Sequence, residues 1–539
     1  MSKRALSFVS LFALAASACA EAPPPEPVVP PPPPSAEPPP PIPPAAPTTP
    51  DADYRKQAPT PGPDVAFVAP KIEDFRLKNG IRVLLVERHD LPIVAVRVAS
   101  DLGADHGAPG VGSFAGSLLM AGTKTKSAIE ISDSFHGLGA DYGASVDYDG
   151  TYMWMQVISS KLEPSLALLA DTAQHPSFPK DEVDRERSRR LTSLAQERDS
   201  PQRLLGNVLV ASLYPATHAY ATPLLGNEKI VNHVKPGDLA AFHASTMAPD
   251  HVTITLAGDV TKAQAIEQLE KAFGGWKGKL GKVRSSVESK PDEVAKLRDA
   301  CLTGKGHCND LGADVRIVIV DRPNSSQSNV SVAQVGEPRS TADYDALLVM
   351  NTMLGGQFSS RLNMNLREAH AYTYGAGSRF DMRHGAGPFN AGGAIVSEST
   401  APALKEIFAE IARMRTEAPS DEELDSAKAS MIKSLPARFE TAGETAGTLA
   451  GLAVYNLPLD EYATRPARIG KISKDDVLRV AKSHLTPERF RVVIVGDATK
   501  IKPAIEALNL GKVEVRTPPK ADDAKPADAP KATPKPKKK

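Results

Sequence analysis

The chain contains one stretch twice. Asp238-Leu-Ala-Ala-Phe, Pro249 and Gly258-Asp259-Val-Thr-Lys262 fall on Asp476-Val-Leu-Arg-Val, Pro487 and Gly496-Asp497-Ala-Thr-Lys500, a shift of 238 residues. Each copy reads as a helix, a proline turn, a β-rich run ending in Gly-Asp, and a second helix. A repeat of this length admits only folds in which two homologous halves each bury a core of their own. The halves run from about 66 to 276 and from 313 to 515.

Both halves open on strands. Phe75-Arg-Leu-Lys-Asn79-Gly80-Ile-Arg-Val-Leu-Leu-Val carries Asn-Gly where a hairpin turns, and Val315-Arg-Ile-Val-Ile-Val is a short β run. Helical patterns over 163–174, 180–198, 401–416 and 420–435 alternate with further β runs, which sets the class as α+β. Residues 277–312 are polar, rich in Gly and Lys, and read as a linker between the halves. This segment holds Cys301 and Cys308, whose intervening glycines let the chain return for a disulfide. Two Cys and His307 match no standard zinc spacing.

The ends are of another kind. Lys3 and Arg4, the apolar run 5–16 and the small residues Ser17 and Ala18 form a secretory signal too short to span a bilayer. Ala16-Ser17-Ala18-Cys19 resembles a bacterial lipobox, with Ala16 where Leu is usual. Acylation of Cys19 and ordinary cleavage nearby both stay open. With Ala20 next, lipidation implies an outer-membrane lipoprotein; in either case the chain is exported to the periplasm or cell envelope. Residues 1–19 are thus a signal, and 20–65 a Pro-rich tether: 17 of residues 21–50 are proline, which favours extended polyproline II over any core. Residues 516–539, rich in Lys, Pro and Ala, read as a solvated tail. With 64 basic and 64 acidic residues and no basic block in the globular part, nucleic acid is excluded as a favoured partner.

The chemistry turns on Gly112–Thr123, GSFAGSLLMAGT. Phe114, Leu118, Leu119 and Met120 give it a buried helical face, and Gly116 costs about 1 kcal/mol in helix propensity. With Gly110 before it and Gly122-Thr123 at its end, the stretch resembles the zinc helix of the insulinase (pitrilysin, inverzincin) metallopeptidases, whose H-x-x-E-H holds the metal and activates water. The resemblance covers nearly the whole globular region and implies a clamshell of two halves, each built from two related αβ units. It places Ser113 and Ser117 where the two His stand, Gly116 where the Glu stands, and Ser193, between Glu186 and Asp199-Ser-Pro201, where the third ligand stands. Serine is a poor zinc ligand and glycine cannot take a proton, so the resemblance implies no catalytic residue and no metal in this chain. No G-x-S-x-G or similar setting makes the serines nucleophiles.

The second half keeps more of the family pattern. Leu354-Gly-Gly-Gln-Phe-Ser-Ser-Arg361-Leu, Leu366-Arg367-Glu368 and Tyr374 resemble a stretch in which an Arg and a Tyr seven residues later face the zinc site and hold the substrate backbone. Arg367 and Tyr374 match in type and spacing, and a guanidinium and a phenol suit a developing oxyanion. Lost metal positions beside a kept Arg/Tyr pair imply the non-catalytic, peptide-binding subunit of a heteromeric zinc endopeptidase. On that reading unfolded peptide is the ligand, zinc sits only in a homologous partner subunit, and the lipid anchor is the sole membrane contact. The alternative is a stand-alone peptide-binding or scaffold protein.

Overall fold

The apolar strand runs dictate the layering. Arg82–Glu87 places Val83 and Leu85 in one core and Leu84 and Val86 in another, all buried, so this strand is covered on both faces. The structure, a computed structural model, describes residues 57, 62, 66–283, 287–302 and 315–518. Cys19, Cys308, most of the tether and the tail beyond 518 lie outside the described residues.

The N-terminal half contains strands β1 (Glu73–Arg76), β2 (Arg82–Glu87), β3 (Ile93–Ser100), β4 (Asp141–Val146), β5 (Thr151–Ile158) and β6 (Val252–Gly258). They form one sheet in the order β1-β2-β6-β3-β5-β4. The C-terminal half contains β7 (Val315–Asp321), β8 (Gln327–Val335), β9 (Thr373–Phe380), β10 (Pro388–Val396), β11 (Arg491–Gly496) and β12 (Lys512–Arg516), ordered β12-β7-β11-β8-β10-β9. Five strands keep the same order in both sheets, and the repeated β-rich run is the third strand of each, β6 and β11. Only the sixth differs. β1 comes from the Asn79-Gly80 hairpin and pairs antiparallel with β2, whereas β12 comes from the end of the chain and pairs parallel with β7. The fold is therefore the two-half α+β arrangement expected.

Four helices place the site and join the halves: α1 (Val111–Leu118), α2 (Lys180–Asp199), α3 (Pro201–Leu213) and α4 (Ala442–Val454). α3 leaves its own half to lie on β8 and β11, burying Leu204 against Val315, Val318 and Val495, and Leu209 and Leu213 near Ala333 and Val335. α4 returns the exchange: Ala446, Leu449 and Leu452 pack on Leu84, Val86, Ala95 and Ala257. Each sheet thus has its second face closed by a helix of the other half, which explains why the strands are apolar on both sides.

The segment read as a linker is partly folded. Pro291–Ala300 is a helix, with Pro at its first turn beside Asp292 and Glu293, and Val294 and Leu297 buried on one face in the cluster that holds Ala333 and Val335. Its two apolar residues, three apart, are the signal that the Gly- and Lys-rich composition masked. Cys301, at its C-cap, is disulfide-bonded.

A polar knot closes the seam where the two halves meet. Asp149, in the β4–β5 turn, accepts hydrogen bonds from the Tyr455 hydroxyl at 2.7 Å, the His384 amide at 3.0 Å and the Tyr220 hydroxyl at 3.4 Å. Two of these donors belong to the C-terminal half.

Candidate functional site

α1 opens at Gly110, whose φ of 76° is left-handed, and buries Phe114, Ala115, Gly116 and Leu118. Its remaining face, Ser113 and Ser117, turns toward α2. α2 is polar along its length and buries only Val183, Glu186, Arg190 and Leu194, a stripe at helical spacing whose centre is a charged pair.

That pair fills the place expected for the metal. Arg190 Nε donates to Glu186 Oε1 at 2.7 Å, an i,i+4 contact in the favourable Glu-before-Arg direction. The other guanidinium nitrogens cross to α1. Nη1 reaches Ser113 Oγ at 3.1 Å, and Nη2 reaches the Ser113 carbonyl at 2.7 Å and Ser117 Oγ at 3.0 Å. The Arg190 ζ-carbon stands 4.8 Å over the Phe114 ring, adding a cation–π contact. Both charged side chains are nearly sealed from water, Arg190 at 5% exposure and Glu186 at 6%. Ser113 passes its own proton to the Leu224 carbonyl, so its oxygen accepts from Arg190. Burial alone would raise the Glu186 carboxyl, but hydrogen bonds from Arg189 and Arg190 outweigh it and hold the group below its usual range. Burial also pushes the Arg190 guanidinium down, against the pull of Glu186; a guanidinium stays charged nonetheless.

Of the four positions expected to have lost their chemistry, the structure gathers Ser113 and Ser117 around one guanidinium and leaves the others apart. The Ser193 hydroxyl donates to the Arg189 carbonyl of its own helix at 3.1 Å. Gly116 faces the sheet: a β-carbon there would lie 2.8 Å from the Val146 nitrogen and 2.9 Å from its Cγ2. The glycine thus lets α1 sit directly on β4. Gly116→Ala is expected to destabilise the chain by about 1–2 kcal/mol, because the clash with backbone exceeds the roughly 1 kcal/mol gained in helix propensity; a denaturant midpoint at or above wild type would refute this. Arg190 belongs to no motif in the sequence, although Glu186 four residues before it on an expected helix is a readable sign of the pair.

The C-terminal half presents the opposite picture. Arg361 forks onto Glu423 at 2.7 and 3.0 Å and ties the Gly-Gly-Gln-Phe-Ser-Ser-Arg stretch to the Asp421–Lys433 helix, so this Arg is structural. Arg367 lies in the short wide turn Met364–Ala369. The chain then reverses at Ala371, φ 55°, with the Tyr372 amide bonded back to the Leu366 carbonyl, and enters β9. Arg367 is half-buried; it rests 4.8 Å over Phe358, itself 62% exposed, and touches only Glu368, at 3.3 Å, among ion partners in the described residues. Tyr374, at the start of β9, is 89% exposed, and its hydroxyl has no hydrogen-bond partner among the described residues. β9 is an edge strand, paired only with β10 among the described residues.

Two family models cover most of the globular region. Residues 82–227 match the insulinase family, peptidase family M16, and residues 233–431 match the peptidase M16 inactive domain. The chain belongs to the insulinase (M16) family. Among similar M16 proteins are an uncharacterized zinc protease, YmxG, of Bacillus subtilis, 26% identical over 69% of this chain and 85% of that protein, and an uncharacterized zinc protease of Mycobacterium tuberculosis, 24% identical over 81% and 95%. Among solved structures, a peptidase M16 inactive domain from Pseudomonas fluorescens superposes with a TM-score of 0.70 at 27% identity, covering 79% of this chain and 98% of that one. The first half of the periplasmic protease PqqL from Escherichia coli shares the fold with a TM-score of 0.62 at 16% identity, over 84% and 100%.

Within this M16 chain the residues do not fit a zinc ion. The metal needs imidazole or carboxylate donors converging on open space. At the positions where the resemblance implies ligands there are hydroxyls, and a buried guanidinium already occupies the gap between α1 and α2. Among the described residues no group of three or more His, Cys, Asp or Glu is placed to hold a metal. The chain is an M16 homologue whose second half matches the M16 inactive domain.

Proposed function

We propose that this chain is the peptide-binding, Arg/Tyr-supplying subunit of a heteromeric zinc endopeptidase of the cell envelope. The observation that carries the proposal is the contrast between the halves: Arg190 is sealed from water in the one, whereas in the other Arg367 is half-exposed beside Phe358 and Glu368, and the Tyr374 hydroxyl is exposed with no hydrogen-bond partner among the described residues. A guanidinium in the turn before β9 and a phenol at the start of that strand are placed to meet something outside the chain. An extended peptide passing the start of β9 meets the guanidinium and phenol, which donate to a peptide carbonyl oxygen, while the strand's outer groups at Ala376 and Ser378 are held by Asn363 and Asn351. The zinc and its base belong to the partner subunit. The signal-like N-terminal segment supports export, and acylation of Cys19 would tether the assembly at a membrane surface. No helix among the described residues is long and apolar enough to cross a bilayer.

The test is reconstitution. Purified chain mixed with a zinc-bearing M16 relative from the same cell is expected to cleave unfolded peptides that neither cleaves alone, with a mixed complex on gel filtration. A chain that forms no mixed complex, binds unfolded peptide alone and leaves the relative's activity unchanged is a stand-alone peptide receptor instead.

A further inference from the structure

We propose that Arg190 is the resident cation of the N-terminal half: its guanidinium takes the structural place of a metal ion and, through Glu186, Ser113 and Ser117, ties α1 to α2. In a metal site, ligand lone pairs from two helices converge on a positive centre. Here the same convergence is present with a covalently attached cation at its middle. The lone pairs come from Ser113 Oγ, the Ser113 carbonyl and Ser117 Oγ on α1, and the neutralising charge from Glu186 on α2. The Phe114 ring closes one side.

The built-in cation accounts for which residues stand in the altered positions. A hydroxyl is a poor zinc ligand but a good acceptor from a guanidinium, and it is small enough to leave room for one. Imidazoles at 113 and 117 would fill the volume that the guanidinium occupies. With the cation in place, the position next to Ser117 needs no acid, and Gly116 lets α1 settle on β4. The half is therefore held together without metal, and its stability is indifferent to zinc and to chelators. Melting of the chain by itself reads this role of Arg190, which stands or falls separately from the partner-subunit proposal.

The experiment compares thermal melts of the full chain as wild type, Arg190→Lys, Arg190→Met and the double variant Glu186→Met/Arg190→Met, each with zinc and with EDTA, together with amide exchange of α1. Wild type is expected to melt at the same temperature in zinc and EDTA. Arg190→Met keeps length but removes the charge and all four hydrogen bonds; it is expected to melt several degrees lower, with α1 amides exchanging faster. Arg190→Lys, a point charge with fewer donors, should fall between. In Arg190→Met, Glu186 keeps its fork from Arg189 at 2.6 and 2.8 Å, so the double variant, which removes that fork too, should melt no higher than Arg190→Met. Wild-type stability in Arg190→Met, or a wild-type melt raised by zinc, would overturn the proposal. Should Arg190→Met fail to fold, Arg190→Lys decides: a folded chain with a lowered melt supports the proposal, and a wild-type melt or equal failure overturns it.

Discussion

In the reconstituted pair, Arg367→Ala is expected to lower kcat/KM by about 10²- to 10³-fold, and Tyr374→Phe by about 10²-fold, the usual cost of one donor to a developing oxyanion. The loss should fall mainly on kcat, since such a donor acts more strongly on the transition state than on bound peptide. What makes these substitutions informative is exposure. Tyr374 is 89% exposed with an unpartnered hydroxyl, and Arg367 rests on Phe358 and Glu368 at the surface. Neither contributes to a core, so the melting temperature of either variant should match wild type, and a fall in activity cannot be charged to unfolding. Phe358→Ala serves as an inner control. It removes the shelf beneath the guanidinium, worth about 0.5–1 kcal/mol at an exposed site, and should weaken turnover only several-fold. The assay is steady-state cleavage of an unfolded fluorogenic peptide. Unchanged kinetics in both Arg367→Ala and Tyr374→Phe would end the Arg/Tyr assignment.

The layout of the molecule was open to a reader of the sequence wherever local patterns were strong. The Asn79-Gly80 turn, the helices expected over 163–174, 401–416 and 420–435, and the repeat that became β6 and β11 all stand close to where periodicity and punctuation put them, the last helix ending early, at Lys433. What could not be read was which half each helix serves. The apolar faces of α3 and α4 look the same whether they pack at home or across the seam, because amphipathicity specifies a buried face and not its partner. The same limit applies at the site. Ser113, Gly116 and Ser117 drew notice only through the resemblance of their frame, and the occupant of the gap between α1 and α2 could not be read at all. A Glu and an Arg four apart on a polar helix usually form a solvated surface pair; only packing against α1 shows that this one is buried. Helix Pro291–Ala300 was obscured for the opposite reason, two apolar residues being too few to stand out in a Gly- and Lys-rich segment.

The seam between the halves should depend on Asp149 more than on any single apolar contact. Asp149→Ala leaves the Tyr455 and Tyr220 hydroxyls and the His384 amide without their acceptor in a buried setting, and at about 1–3 kcal/mol for each unsatisfied group the expected loss is roughly 3–5 kcal/mol. Asp149→Asn keeps one carbonyl acceptor and should lose about half as much. The pH dependence separates the carboxylate from its shape. Burial holds the Asp149 carboxyl above its ordinary value, with His384 and the Tyr455 hydroxyl pulling it back; burial raises neighbouring Asp147 likewise, and Asp105 adds to the effect on Asp149. Between the unfolded value, near about 3.9, and the raised one, the folded chain holds more protons than the unfolded chain. Linkage then requires that the stability contributed by Asp149 be fullest on the acid side and decline as pH rises through that window. Asparagine does not titrate. The gap between wild type and Asp149→Asn should accordingly be widest near about pH 4 and narrow toward neutrality, with the carboxylates that titrate low elsewhere in the chain cancelling in the difference. Denaturant midpoints of the two proteins across that range measure the gap directly, and one that widens with rising pH would mean that Asp149 is held as a stabilised anion, with Tyr455 and His384 overcoming its burial.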